Sequence, residues 1–142
     1  MKYYIGIDLG GTNIVAGVVD ENFSLIATAS NKTNAGRPAD QIVETMAQTA
    51  AQAGISMEQI ESVGIGSPGI VDSQKREVIF ASNLDFYNAP IGQLLEDRLH
   101  RPVFLANDAD AAAYGEFMAG AGKTENGQHI SNMVAITLGT GV

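Results

Sequence analysis

Tyr3-Tyr4-Ile5-Gly6-Ile7-Asp8-Leu9-Gly10-Gly11-Thr12-Asn13-Ile14-Val15-Ala16-Gly17-Val18-Val19 sets two short apolar segments on either side of a Gly-Gly-Thr turn. Both segments are rich in Ile, Val and Tyr, the residues that pack best on a pleated surface, and predict strands over Tyr3 to Asp8 and Asn13 to Val19. Asp20-Glu21-Asn22 reads as the next turn, with a third strand from Phe23 to Ser30. The first turn is unusual. Two adjacent glycines admit backbone conformations and close approaches that a side chain would block.

Downstream the period changes. Pro38 suits the first turn of a helix, and Ile42, Val43, Met46 and Ala50 recur at helical spacing, predicting a helix over 38–53 closed by Gly54. Ile60 to Ile65 reads as a buried strand and Gly66-Ser67-Pro68-Gly69 as a loop. Ile70-Val71 and Val78-Ile79-Phe80 flank a polar tip and suggest a hairpin. Ile91, Leu94, Leu95 and Leu99 fit a short helix stopped by Pro102, followed by a strand over Val103 to Ala106. Asn107 or Asp108 is a natural cap for an alanine-rich helix reaching Met118, with Gly120 and Gly122 at its end. A last strand is expected over Asn132 to Leu138. Three meander strands followed by alternating helices and strands describe an α/β domain with a mixed sheet.

The composition excludes several function classes. Sixteen acidic against eight basic residues give a net charge of −8, a field that repels nucleic acid and anionic membrane surfaces. Cysteine is absent, so neither a disulfide framework nor a thiolate zinc site can form within these residues. No stretch is long and apolar enough for a membrane span, and the cytoplasm is the expected compartment. The 142 residues suffice for one domain with a real core, but not for the two lobes that usually clasp a nucleotide.

Four groups have chemical potential. In Asp8-Leu9-Gly10-Gly11-Thr12, glycine N–H groups can point at a phosphate, the threonine adds a hydroxyl, and the aspartate can hold hydrated Mg²⁺; a plain tight hairpin would use the same glycines. Asp108, at a helix start, lies in the positive end of the macrodipole and suits a general base, or serves as an ordinary cap. Gly66 to Gly69 offers backbone amides and a hydroxyl at a strand end, where open α/β sheets place ligands, or is a rigid turn. Asn83 can pair with vicinal hydroxyls or close a local turn. His100 and His129 lack partners at ligand spacing and read as solvated. Lys75-Arg76 reads as a hairpin tip, and Phe86-Tyr87 as local packing.

Asp8-Leu9-Gly10-Gly11-Thr12-Asn13, Gly66-Ser67-Pro68-Gly69, Asn107-Asp108-Ala109-Asp110-Ala111-Ala112-Ala113-Tyr114-Gly115-Glu116 and Thr137-Leu138-Gly139-Thr140-Gly141, in this order, resemble the ROK family of glucokinases, N-acetylhexosamine kinases, fructokinases and related repressors. The resemblance spans the chain but only the first half or less of a typical member. It implies a ribonuclease H-like, actin-like ATPase domain, with residues 1–122 as the sugar-binding lobe and 123–142 as the start of a second, nucleotide-binding lobe. It further implies ATP-dependent phosphorylation of a hexose or N-acetylhexosamine, commonly on its 6-hydroxyl, with Asp108 as base. Gly66, Ser67, Pro68, Gly69, Asn83, Asn107 and Asp108 would meet the sugar. Asp8, Gly10, Gly11, Thr12 and Asn13, with Gly139, Thr140 and Gly141 from the other lobe, would face ATP, and Asp8 the Mg²⁺. Asp110 stands where members often have asparagine, and the tryptophan often found after Asn83 is missing. The family's zinc motif and adenosine pocket lie past Val142 and are not assigned to this chain. A sugar-sensing repressor and a noncatalytic sugar-binding module are the alternatives; the acidic chain, which enters its first strand at once, speaks against the repressor. A homodimer is expected.

Overall fold

The computed structural model describes residues 1–34, 36–123, 126, 128 and 130–136. Three antiparallel strands open the chain: β1 (Tyr3–Leu9), β2 (Asn13–Asp20) and β3 (Leu25–Lys32). Then come α1 (Pro38–Ala53), β4 (Ile60–Ser67), β5 (Ile70–Asp72), β6 (Glu77–Ala81), β7 (Phe86–Ala89), α2 (Ile91–Leu99), β8 (Val103–Asn107) and α3 (Asp108–Ala119). The main sheet has five strands in the order β3-β2-β1-β4-β8, in which β4 and β8 run parallel to β1; β5-β6-β7 form a second, antiparallel sheet.

Alternation along β1 sets the two faces of the main sheet. Ile5, Ile7 and Leu9 point inward and are buried, so Gly6 and Asp8 must point the other way. The inward face also carries Ile14, Ala16, Val18, Val63, Ile65, Val103 and Leu105 and joins Ile42 and Met46 of α1 and Ile91 and Leu95 of α2 in one core. Each fully buried Ile or Leu there contributes roughly 1.5–3 kcal/mol relative to exposure.

Helix α1 occupies the range expected, with Pro38 in its first turn and Gly54 closing it at φ 71°. Other boundaries move for local reasons. The third strand starts at Leu25 instead of Phe23, because the Asp20 carboxylate accepts from the Asn22 and Ser24 amides and holds the chain in a turn, with Phe23 at φ 63°. Gly66 and Ser67 belong to β4 and not to a loop: both register with β8, at Ala106 and Asn107. The strand expected over Asn132 to Leu138 is not formed over residues 132–136, which pair with no strand among the described residues; a segment becomes a strand only when another backbone pairs with it. Thr137 and Leu138 fall outside the described residues. Phe86-Tyr87, read as packing alone, is both packing and strand: Phe86 is buried, and Tyr87 pairs with Phe80 and meets its ring edge-on at 5.5 Å.

Candidate active site

The parallel strands β1, β4 and β8 end side by side, at Leu9, Ser67 and Asn107. Ligands in open α/β sheets sit outside such carboxyl ends, because loops and helix starts converge there. Asp8 registers with Gly66, and Gly66 with Ala106, so the outward carboxylate of β1 stands one strand away from the start of α3. Asp8, Gly66 and Asp108 line a single cleft of about 1040 Å³. Its floor runs over the outward face of the sheet, across Gly17, Gly6 and Gly64, which lie in one cross-strand row.

Asn107 caps α3. Its Oδ1 accepts from the amides of Ala109 (3.0 Å) and Asp110 (3.3 Å), and its Nδ2 donates to the Gly69 carbonyl at 3.0 Å. The side chain thus ties the start of α3 to the turn after β4, and each element fixes the other. Asp108 is half-buried, with Oδ1 accepting from the Ala109 amide at 2.8 Å. Gly69 is the strained member of its turn, at φ 86°; an added Cβ would stand 2.0 Å from the Phe80 carbonyl oxygen. Only glycine allows β6 to cross so closely.

The Gly10-Gly11 turn is built on close approach and not on left-handed backbone, since among the described glycines only Gly54 and Gly69 have positive φ. The Gly10 amide donates to the Asn13 carbonyl at 2.9 Å, and a Cβ on Gly10 would stand 2.7 Å from that oxygen. A Cβ on Gly11 would lie 3.1 Å from Nδ2 of Asn83. Asn83, exposed in a single 3-10 turn over Ser82–Leu84, therefore rests against the glycine turn. Thr33, just past the end of β3, also reaches this turn: its hydroxyl donates to the Gly10 carbonyl at 2.6 Å and its amide to the Thr12 carbonyl at 2.8 Å. Nothing in the sequence singles out this threonine, because the contact depends on β3 pairing with β2.

The electrostatics of the cleft centre on Asp8. Asp8 is exposed, yet the protein around it withdraws the carboxyl from water enough to raise its pKa above the usual aspartate value, and the charge of Asp108 raises it further. A cation between the two acids would reverse that push. Among the described residues no cluster of three or more His, Cys, Asp or Glu side chains is placed to hold a metal.

The structure thus brings Asp8, Gly66 and Asp108 together, joins Asn107 to Gly69, and seats Asn83 on Gly11. Gly139, Thr140 and Gly141 lie outside the described residues, as does His129. Lys75 and Arg76 sit at a hairpin turn as expected, with Arg76 at φ 58° and paired with Glu96. His100 is exposed and ends α2. Among the described residues, no helix is long and apolar enough to cross a membrane.

The profile of the ROK family matches residues 4–142. A glucokinase of Streptomyces coelicolor is 41% identical over 142 residues, which are all of this chain and 42% of that protein. A xylose repressor of Caldicellulosiruptor bescii is 31% identical over 146 residues, covering 97% of this chain and 35% of the repressor. The crystal structure of a ROK family glucokinase from Streptomyces griseus, in complex with glucose and AMPPNP, superposes with a TM-score of 0.77 at 40% identity, over 85% of this chain and 38% of that one. The chain therefore spans less than half the length of these relatives. Its mixed α/β sheet has the actin-like ATPase fold of the ROK kinases. By profile, sequence and fold, this chain belongs to the ROK family.

Proposed function

We propose that the chain is the sugar-binding part of an ATP-dependent carbohydrate kinase, with Asp108 as general base. The observation that carries this reading is the meeting of Asp8, Gly66 and Asp108 in one cleft at the ends of three parallel strands. The sugar would lie between the segment Gly66 to Gly69, at the end of β4, and the start of α3, where Asn83 and Asn107 can meet its hydroxyls. Asn107 has one Nδ2 proton left for a ligand after donating to Gly69. Asp108 would take the proton of the attacking hydroxyl, the 6-hydroxyl of a hexose or N-acetylhexosamine, as that oxygen approaches the γ-phosphorus of ATP in line.

The phosphates would face Gly10, Gly11, Thr12 and Asn13. Mg²⁺, with Asp8 among its ligands, would neutralise phosphate charge when bound. The chain's own part is positioning: the Asn107 cap fixes the start of α3 and with it the base, and the Asn83 contact with Gly11 sets sugar and phosphate groups against one another. Residues 1–122 would form this lobe, and 123–142 would begin a second one carrying Gly139, Thr140 and Gly141 to the phosphates. On this reading the isolated chain turns over slowly, because an open cleft leaves the reacting groups in water.

The xylose repressor relative supports a second reading, in which the same residues bind a sugar without phosphoryl transfer. ADP release with Mg²⁺-ATP across a panel of hexoses and N-acetylhexosamines separates the two. The assay uses the isolated chain and the protein at the full length its reading frame encodes. Turnover driven by one sugar supports the kinase; sugar binding by calorimetry without ADP release with any sugar overturns it in favour of a sensor.

A further inference from the structure

We propose that Thr33 is a positioning residue for nucleotide binding, a clamp that holds the Gly10-Gly11-Thr12 turn in its anion-receptive form; the proposal rests on the kinase reading above. A turn that receives phosphate must present N–H groups and keep its carbonyl oxygens away, since a carbonyl facing a phosphate oxygen sets two negative ends together. Thr33 meets that requirement for two of them. Its hydroxyl takes the Gly10 carbonyl and its amide takes the Thr12 carbonyl, the oxygens on either side of Gly11. The Gly10 amide is occupied by the Asn13 carbonyl, which closes the turn on itself. Two acceptors of the turn are thus tied to one residue.

Thr33 is itself held on both sides. Gln41 of α1 donates through Nε2 to the Lys32 carbonyl at 2.7 Å and accepts the Asn34 amide at Oε1. Gln41 therefore brackets Thr33 at the preceding and following residues, and the half-buried threonine side chain is presented to Gly10 from the end of β3. The line runs from α1, a helix packed in the core, through the end of β3 to the phosphate turn. None of these residues takes part in proton or phosphoryl transfer. Thr33 acts through the turn it holds.

Thr33→Val keeps the shape of the side chain and removes the hydroxyl; Thr33→Ser restores it. In steady-state assays of the protein at the full length its reading frame encodes, Thr33→Val is expected to raise KM for Mg²⁺-ATP by about tenfold, the scale of one lost hydrogen bond. KM for the sugar should stay within about twofold, and Thr33→Ser should return the ATP value to within about threefold of the native one. An unchanged ATP KM in Thr33→Val, or an equal rise in both KM values, overturns the proposal. If Thr33→Val does not fold, Gln41→Met, which drops both bracketing bonds, is assayed in the same way, and an unchanged ATP KM there is equally contrary.

Amide hydrogen exchange provides a readout free of any activity. Exchange at Gly10 and Thr33 should quicken by about tenfold in Thr33→Val and not in Thr33→Ser. If the native protein phosphorylates no sugar, the kinase reading fails on that ground; the clamp then stands or falls on exchange, and identical rates in native protein and Thr33→Val overturn it.

Discussion

Gly66 lies directly beneath Asp108: a Cβ on the glycine would stand 3.2 Å from Cα of the aspartate and 3.6 Å from its Cβ. The end of β4 and the first residue of α3 thus touch through backbone, and the position of the acid depends on the absence of a side chain at 66. Gly66→Ala should push the start of α3 outward by a few tenths of an ångström without opening a cavity. We expect kcat for the proposed sugar phosphorylation to fall by roughly tenfold while the fold survives. Circular dichroism melting together with steady-state kinetics checks this; a large loss of melting temperature with kcat preserved would contradict it.

Gly11→Ala addresses the other junction. The new methyl would crowd Nδ2, Cβ and the backbone oxygen of Asn83, all within 3.2 Å. Since Asn83 is proposed to meet the sugar and Gly11 the phosphates, both KM values should rise, each by at least about threefold. A change confined to the ATP KM would mean that Asn83 does not meet the sugar.

Asn107→Ala removes the cap of α3 and the link to Gly69 together. A lost cap of this kind costs on the order of 1 kcal/mol. Urea unfolding should show that loss as a lower midpoint with little change in slope. Asn107→Asp keeps the acceptor for the helix amides and loses the donor to Gly69, so it should recover most of the stability while still weakening sugar binding. Equal stability losses in the two variants would contradict the capping role.

Asp8 gives a pH signature. Its pKa is raised in the folded protein, first by withdrawal from water and then by the charge of Asp108. The folded state therefore holds this proton more tightly than the unfolded chain does. That contribution to stability is present at low pH and is lost as pH rises through the raised value. Asp8→Asn has no proton to lose. Without Mg²⁺ it should melt slightly above the native protein at about pH 7, with the difference shrinking as pH falls toward the ordinary aspartate value of about 3.9. Calorimetric scans across pH check this; a difference independent of pH would place the effect elsewhere.

Much of this was legible beforehand because the signals are local. Pro38 and Gly54 bound α1, the alternation of Ile5, Ile7 and Leu9 against Gly6 and Asp8 decides which way the carboxylate points, and Asn107 caps the helix that starts with Asp108. What escaped the sequence depends on contacts between segments far apart in the chain. Thr33 meets Gly10 only because β3 lies beside β2, and β7 becomes a strand only because Tyr87 finds Phe80. Gly66 and Ser67 carry the residue types of a loop, yet the neighbouring β8 draws them into the sheet. The two glycines of the first turn are needed for the nearness of Asn13 and Asn83, and neither adopts positive φ.

The assignment of Asp108 as base is tested most directly by Asp108→Asn, which keeps the size and hydrogen-bonding ability of the side chain but cannot take up the proton. Assayed by ADP release with the sugar that the panel identifies, in the protein at the full length its reading frame encodes, kcat is expected to fall by at least about a hundredfold, with KM for the sugar within a few-fold. A kcat within about threefold of the native value would contradict the assignment and, with it, the mechanism proposed for this cleft.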